Sequence, residues 1–400
     1  MKRQVLGICL GNLFEHYDKA LFGYLSPFLA PLIFPNQDAV TALILTYAML
    51  PLSMLARPLG VLVLGFIGYA YGRERALFYS LLGMALVSCA IAFIPTSIAW
   101  APILFCLGRA LQNFLVAGET MGGAVVMLEK VAQERRDLYS GLYSSTAMGG
   151  HLLASLGVAW VASSFGLDLG WRALYLFGGV TALFAWMIRP PCPAAPRRRA
   201  SFKVVHLSDC KALLIIMVAS GFARATYSMA LVFVNGFIPL VSTMTKVEAV
   251  QLNTKLLLLD LCALPLFGWI ASRVSRERLM FFVAATAALL AIPLLVSLQS
   301  GSLATVIAVR VVLVLIGVAF FAPFHAWVQP MVAPDRRWAV ISLGYALGSQ
   351  LLGSPTAAIS LWLYQRSGTV ASAGWYWMAL AVASMVSIVV AQPLAKRAAA

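Results

Sequence analysis

Glu15 and Asp18 sit three residues apart in the run Gly11-Asn12-Leu13-Phe14-Glu15-His16-Tyr17-Asp18-Lys19-Ala20-Leu21-Phe22. That spacing puts both carboxylates on one face of a helix, where they form a candidate proton-carrying pair. The competing use is structural pairing with Lys19 and with Arg109 or Arg57. Lys19, next to Asp18, would neutralise that carboxylate, which points the proton role toward Glu15. Arg109 offers a rigid donor fork suited to a carboxylate ligand, with Gln112, Asn113 and Tyr17 as neutral polar contacts. It serves equally well as a salt-bridge post.

Further along the chain, Arg224 and Asp260 fall at similar depths of successive segments and are expected to form a structural or gating ion pair. Lys255 and Arg310 lie in outer halves, where they could bind an anion. Glu119 and His325 are further proton-coupling candidates, and His16, His151 and His206 are weaker ones. Arg57, Arg73 and Arg276 are read as gate or fold residues; Tyr24, Tyr227, Asn235, Trp327 and Gln329 as possible cavity contacts. Set against Glu15, Asp18, Glu119 and Asp260, the cations Lys19, Arg57, Arg109, Arg224, Lys255 and Arg310 leave a cationic surplus, which favours a ligand bearing carboxylate. The sequence has no HExxH, no Cys/His metal set, no CxxC, no assignable Ser/His/Asp arrangement and no GxxxxGK[ST]. Metal ion, cofactor, enzymatic activity and direct ATP drive are therefore not expected.

What must position these groups is membrane-spanning helix. Of 400 residues, 62% are apolar and 11% charged, against about 45–50% and about 25% in soluble chains. Apolar runs punctuated by Pro, Gly and charge predict twelve segments near 5–33, 39–68, 75–94, 97–129, 136–165, 170–188, 211–240, 246–272, 277–297, 302–333, 336–364 and 371–394. The Pro- and Arg-rich stretch 190–209 reads as a cytoplasmic linker between six-helix halves 1–189 and 210–400, with anionic-lipid contact as a lesser alternative. Lys and Arg crowd one side, including Lys2, Arg3, Arg73, Arg135, Arg198, Arg276, Arg337 and Lys396. The other side holds little beyond Arg172, Lys246 and Arg366. The positive-inside rule then places both termini in the cytoplasm, in a bacterial inner (plasma) membrane. No continuous basic domain suggests a nucleic-acid partner, and a monomer is expected.

Arg73-Glu74-Arg75 returns 203 residues later as Arg276-Glu277-Arg278, and Glu134-Arg135-Arg136 is echoed 201 residues later by Asp335-Arg336-Arg337. Two matching offsets of about half the chain imply duplicated halves, the construction of alternating-access transporters.

The run Gly11 to Pro27, Ala56-Arg57-Pro58-Leu59-Gly60 with Gly65 to Arg73, Arg109-Ala110-Leu111-Gln112-Asn113-Phe114 with Gly118-Glu119, and Gly170-Trp171-Arg172 together resemble the major facilitator superfamily. More narrowly they resemble its metabolite:proton symporters, importers of organic acids and of osmolytes such as proline and betaine. The resemblance implies an all-α membrane bundle of twelve helices in two six-helix halves. It further implies import of a small carboxylate-bearing metabolite together with a proton, proton-antiport efflux of a siderophore, metabolite or drug being the alternative. The family's loop usually carries Asp where this chain has Tyr69 and a basic residue where it has Ala70. The repeat has Ser272 in the acidic position, so the loop's charge relay is either absent or rebuilt through Glu74 and Glu277.

Overall fold

The computed structural model describes residues 2–37, 42, 45–46, 49, 52–53, 55–116, 119–164, 167–188, 209–234, 237–238, 246–300, 302–334 and 336–397. Among these every regular element is helical. In chain order the α-helices are α1 (Lys2–Ile33), α2 (Ala56–Tyr71), α3 (Arg73–Ala92), α4 (Ala101–Val116), α5 (Glu119–Glu129), α6 (Arg136–Ser164) and α7 (Leu167–Ile188). They continue with α8 (Cys210–Ser228), α9 (Lys246–Val274), α10 (Arg276–Ser297), α11 (Leu303–Phe321), α12 (Phe324–Val328), α13 (Arg337–Leu347), α14 (Thr356–Ser367) and α15 (Ala371–Arg397). The start of the second expected segment and the linker 190–208 lie outside the described residues.

Among the described residues five stretches are long and apolar enough to cross a membrane: Cys210–Phe233, Gln251–Val274, Arg276–Ser297, Leu303–Met331 and Ala371–Gln392. α1 carries more charge, yet its 32 residues reach about 48 Å at 1.5 Å per residue, beyond the ~30 Å hydrocarbon core. Large apolar side chains such as Leu107, Phe184, Phe282, Leu289 and Trp375 stand outward. Such a surface is stable against hydrocarbon and costly against water. The chain is a multi-pass, all-helical membrane protein.

Proline explains several breaks within the expected segments. Pro323 separates α11 from α12, and Pro355 precedes α14; a proline lacks the N–H that the preceding turn would need. α8 widens into a π-turn over Met229–Phe233, and α13 into another over Gly348–Gly353. Pro265 and Pro293 remain inside α9 and α10, as membrane helices tolerate when neighbours satisfy the freed carbonyls.

The chain divides into two compact units, Met1–Lys130 with Thr146–Val204, and Val131–Ser145 with Val205–Ala400. The first turns of α6 thus group with the second unit, a feature that division at the linker alone does not contain. In the first unit α3 packs on α7 and α4, and α1 on α7 and α5. Its core gathers Tyr17, Phe22, Leu25, Phe105, Trp171 and Tyr175. Small residues let backbones approach: a Cβ on Gly150 would overlap the Leu13 carbonyl of α1, and one on Gly178 would overlap the Asp18 side chain. In the second unit α10 packs on α15, α8 on α13 and α15, and α9 on α11. Gly141 of α6 meets Gly268 of α9 backbone to backbone.

The two echoed segments share local backbone geometry. Gly72 has φ 100° and ψ 139°, and Ser275, 203 residues on, has φ 124° and ψ 126°. Gly72 N–H donates to the Gly68 carbonyl at 3.1 Å and Ser275 N–H to the Ala271 carbonyl at 3.2 Å, again 203 residues apart. The second echo behaves alike: Arg135 N–H donates to Ala132 and Arg336 N–H to Ala333, at 3.0 and 3.1 Å.

Candidate functional site

The two carboxylates of α1 have different environments. Glu15 is fully buried and holds two cations: Lys19 Nζ lies 2.8 Å and an Arg57 guanidinium nitrogen 3.6 Å from Oε1. Asp18, 2% exposed, holds none among the described residues. Its Oδ2 is within hydrogen-bond reach of the Ser88 hydroxyl of α3 and accepts from Gln112 Nε2 of α4 at 3.4 Å, while Oδ1 has no hydrogen-bond partner. The expectation that Lys19 neutralises Asp18 is therefore corrected. Consecutive helical side chains diverge by about 100°, whereas residues four apart share a face, so Lys19 turns back to Glu15.

Arg109 approaches Asp18 without pairing to its carboxylate. One guanidinium nitrogen donates to the Asp18 backbone carbonyl at 3.1 Å and to Gln112 Oε1 at 2.8 Å, and the other to the Lys19 carbonyl at 3.5 Å. The Phe22 ring covers the guanidinium, its centroid 5.1 Å from the central carbon. Gln112 is the junction: its Oε1 accepts from Arg109, while its Nε2 donates to Ser88 Oγ at 2.8 Å and to Asp18. Asn113 donates to Ser53 Oγ and to the Arg109 carbonyl. Glu15, Asp18, Lys19, Met84, Arg109, Gln112, Asn113 and Val116 line a recess with room for about one water molecule. In this conformation the recess is closed to an organic ligand.

Several expected contacts lie elsewhere. The Tyr17 hydroxyl donates to the Leu174 carbonyl at 3.1 Å, and its ring is buried in the core against Phe177. The His16 Nδ1–H donates to the Asn12 carbonyl at 2.9 Å, and the ring packs near His151. The backbones of Arg73 and Glu119 are helical, but their side chains, like Asn235 and His206, lie outside the described residues.

In the second unit the expected Arg224–Asp260 pair is not formed. Asp260 Oδ1 accepts instead from the Tyr227 hydroxyl at 3.2 Å, and the stem of Arg224, one turn earlier on α8, lies against Gly353. Arg310 is buried and donates to Asn253 of α9, whereas Lys255 is exposed, so the two cations do not meet. Arg276 pairs with Asp137 at 3.1 Å and donates to the Ala326 carbonyl at 2.9 Å. His325 is enclosed by Tyr143, Phe321 and Phe324, with ring centroids 5.4, 5.2 and 6.0 Å away. Trp327 and Gln329 are buried beside it.

Sequence reasoning missed Ser88, Gly178 and Tyr227's partnership with Asp260. A lone Ser in the apolar run Leu81–Ile94 is a readable signal, since hydroxyls at that depth seek partners. Gly178 carries no such mark.

The sequence profile of the Major Facilitator Superfamily matches residues 8–257. A citrate-proton symporter of Klebsiella pneumoniae is 27% identical over 399 residues, covering 94% of this chain and 88% of that protein. The proline/betaine transporter of Escherichia coli K12 is 22% identical over 423 residues, covering 99% and 84%. Among solved structures, a proton:xylose symporter bound to 6-bromo-6-deoxy-D-glucose superposes with a TM-score of 0.75 at 12% identity, covering 96% of this chain and 94% of that one. A human organic anion transporter gives 0.74 at 14% identity, covering 97% and 99%. A profile match over more than half the sequence, and alignments to transporters over nearly all of it, place this chain in the Major Facilitator Superfamily, a family of transporters and not of enzymes.

Proposed function

We propose that the chain is a proton-coupled importer of a small carboxylate-bearing metabolite: an organic acid, an amino acid or a betaine-like zwitterion. It would cross the bacterial inner membrane twelve times in two six-helix halves, with both termini in the cytoplasm, as the placement of Lys and Arg supports. The carrying observation is Asp18, a buried carboxyl with hydrogen-bond donors and, among the described residues, an unpartnered oxygen and no ion pair. Glu15, already committed to Lys19 and Arg57, becomes the fold-holding member of the two.

Asp18, Gln112 and Arg109 form a chain through which proton and substrate can affect one another. A proton on the unpartnered Asp18 Oδ1 discharges the carboxylate, so the bonds that Ser88 and Gln112 donate to Oδ2 weaken and the Gln112 amide is held less firmly. Its Oε1 then leaves Arg109, whose guanidinium gains a donor for a substrate carboxylate. Mutual dependence of the two affinities is what symport requires. The names of the citrate and proline/betaine relatives agree with a carboxylate-bearing cargo.

Purified protein in proteoliposomes, given an inward proton gradient and radiolabelled citrate, proline or glycine betaine in turn, tests this reading. Accumulation of one probe that a protonophore collapses is expected. Uptake of every probe indifferent to the gradient, or net export of preloaded probe driven by inward proton flow, overturns it.

A further inference from the structure

We propose that Asp260, held by Tyr227, is a proton-binding carboxyl of the second unit, separate from Asp18. Asp260 is fully buried on α9. Its Oδ1 accepts from Tyr227 at 3.2 Å, and its Oδ2, shielded from solvent, has no hydrogen-bond partner. A carboxylate in such a place carries a charge with which no cation among the described residues pairs, whereas the neutral acid leaves only a hydroxyl unsatisfied, a far smaller cost. The Tyr227 ring packs edge-on to Phe321, centroids 6.2 Å apart, and passes Gly317 of α11, where an added Cβ would stand 3.5 Å from its Cζ. The phenol therefore aims at Oδ1 as a donor to a carbonyl oxygen, leaving Oδ2 to carry the proton.

Among the described residues no cation on the surrounding helices forms an ion pair with Asp260. Arg310 of α11 donates to Asn253, two turns before Asp260 on the same face of α9. Arg224 of α8 lies against Gly353, and Arg276 at the start of α10 pairs with Asp137. His325 of α12 is held among Tyr143, Phe321 and Phe324, Tyr345 of α13 packs near Phe321, and Lys255 is exposed. Tyr227 alone among them hydrogen-bonds the carboxyl. The buried Oδ2 excludes an organic ammonium in this conformation, but a proton needs no such room.

The test is infrared difference spectroscopy of the full-length protein in proteoliposomes, in H2O and D2O across the pH range in which the fold is retained. Wild type and Asp18→Asn are expected to share a deuterium-sensitive neutral-carboxyl C=O band that Asp260→Asn lacks. Tyr227→Phe should move that band to higher frequency, because the carbonyl loses its donor. Asn keeps the size of Asp and the acceptor for Tyr227, so the fold should survive. A band unchanged in folded Asp260→Asn overturns the proposal; should that variant fail to fold, a band unmoved in Tyr227→Phe overturns it instead. Loss of a different band in Asp18→Asn reports on the first unit alone, which separates this outcome from the Asp18 assignment.

Discussion

Lys19 Nζ lies 2.8 Å from Glu15 Oε1, one turn back along α1, and not against its chain neighbour Asp18. In the proposed function this contact separates the two carboxylates: Glu15 meets Lys19 and Arg57, whereas the Asp18 carboxyl meets Ser88 and Gln112.

Asp18→Asn should abolish gradient-driven accumulation while retaining substrate exchange, because the amide cannot exchange a proton but still fills the space beside Ser88 and Gln112. Glu15→Gln should mainly lower folded yield. The measurement is accumulation against counterflow in proteoliposomes at matched protein content; normal accumulation by Asp18→Asn would sink the assignment.

Glu15→Gln and Lys19→Met should each destabilise the protein, by up to about 3 kcal/mol, because each leaves a buried or half-buried charge with a lost partner. The double variant should recover part of that loss. Unfolding of all four proteins in one detergent gives the cycle, and a coupling below about 0.5 kcal/mol would show that the contact contributes nothing.

Gly178→Ala places a methyl group against Asp18 Oδ1 and the Tyr17 ring, whereas a Cβ at Gly23 meets nothing within 4 Å. The first substitution should cost about 1–3 kcal/mol and reduce transport at least about tenfold; the second should be neutral. Equal behaviour of the two variants in uptake and thermal unfolding contradicts the packing at Asp18.

Ser275 holds φ 124°, a conformation that glycine adopts without a Cβ penalty and serine does not. Ser275→Gly should raise stability by about 1 kcal/mol, outweighing the loss of the hydroxyl's 2.9 Å bond to Glu277, and Gly72→Ala should lower it by a similar amount. Thermal unfolding decides, and a destabilised Ser275→Gly would mean the hydroxyl matters more than the backbone.

The membrane class and the positions of most helices were legible because they follow from hydropathy, and the recurrence of one turn at Gly72 and Ser275 because basic residues mark it at a fixed offset. The neighbourhood of Glu15, Asp18, Arg57, Arg109 and Gln112 was legible as well, since polar groups in an apolar chain must seek one another. Which oxygen meets which nitrogen was not. Lys19 could be assigned to Asp18 by adjacency or to Glu15 by helical pitch, and only the backbone geometry decides. Segment counting sets Arg224 and Asp260 at similar depths, yet they are not paired: Tyr227, one turn along α8, takes the carboxyl. Breaks at Pro323 and Pro355 were marked in the sequence, but the π-turns carry no comparable sign.

The matching turns at Gly72 and Ser275 hold one contour with two different residues. The side chains around them differ, Tyr69 against Ser272 and Gly72 against Ser275, while φ, ψ and the flanking backbone bonds are close. The triplet that follows each turn is the same, Arg73-Glu74-Arg75 and Arg276-Glu277-Arg278. The bend therefore works as a mount: whichever residue occupies the corner, it sets the same three charged residues at the first turn of the helix that follows.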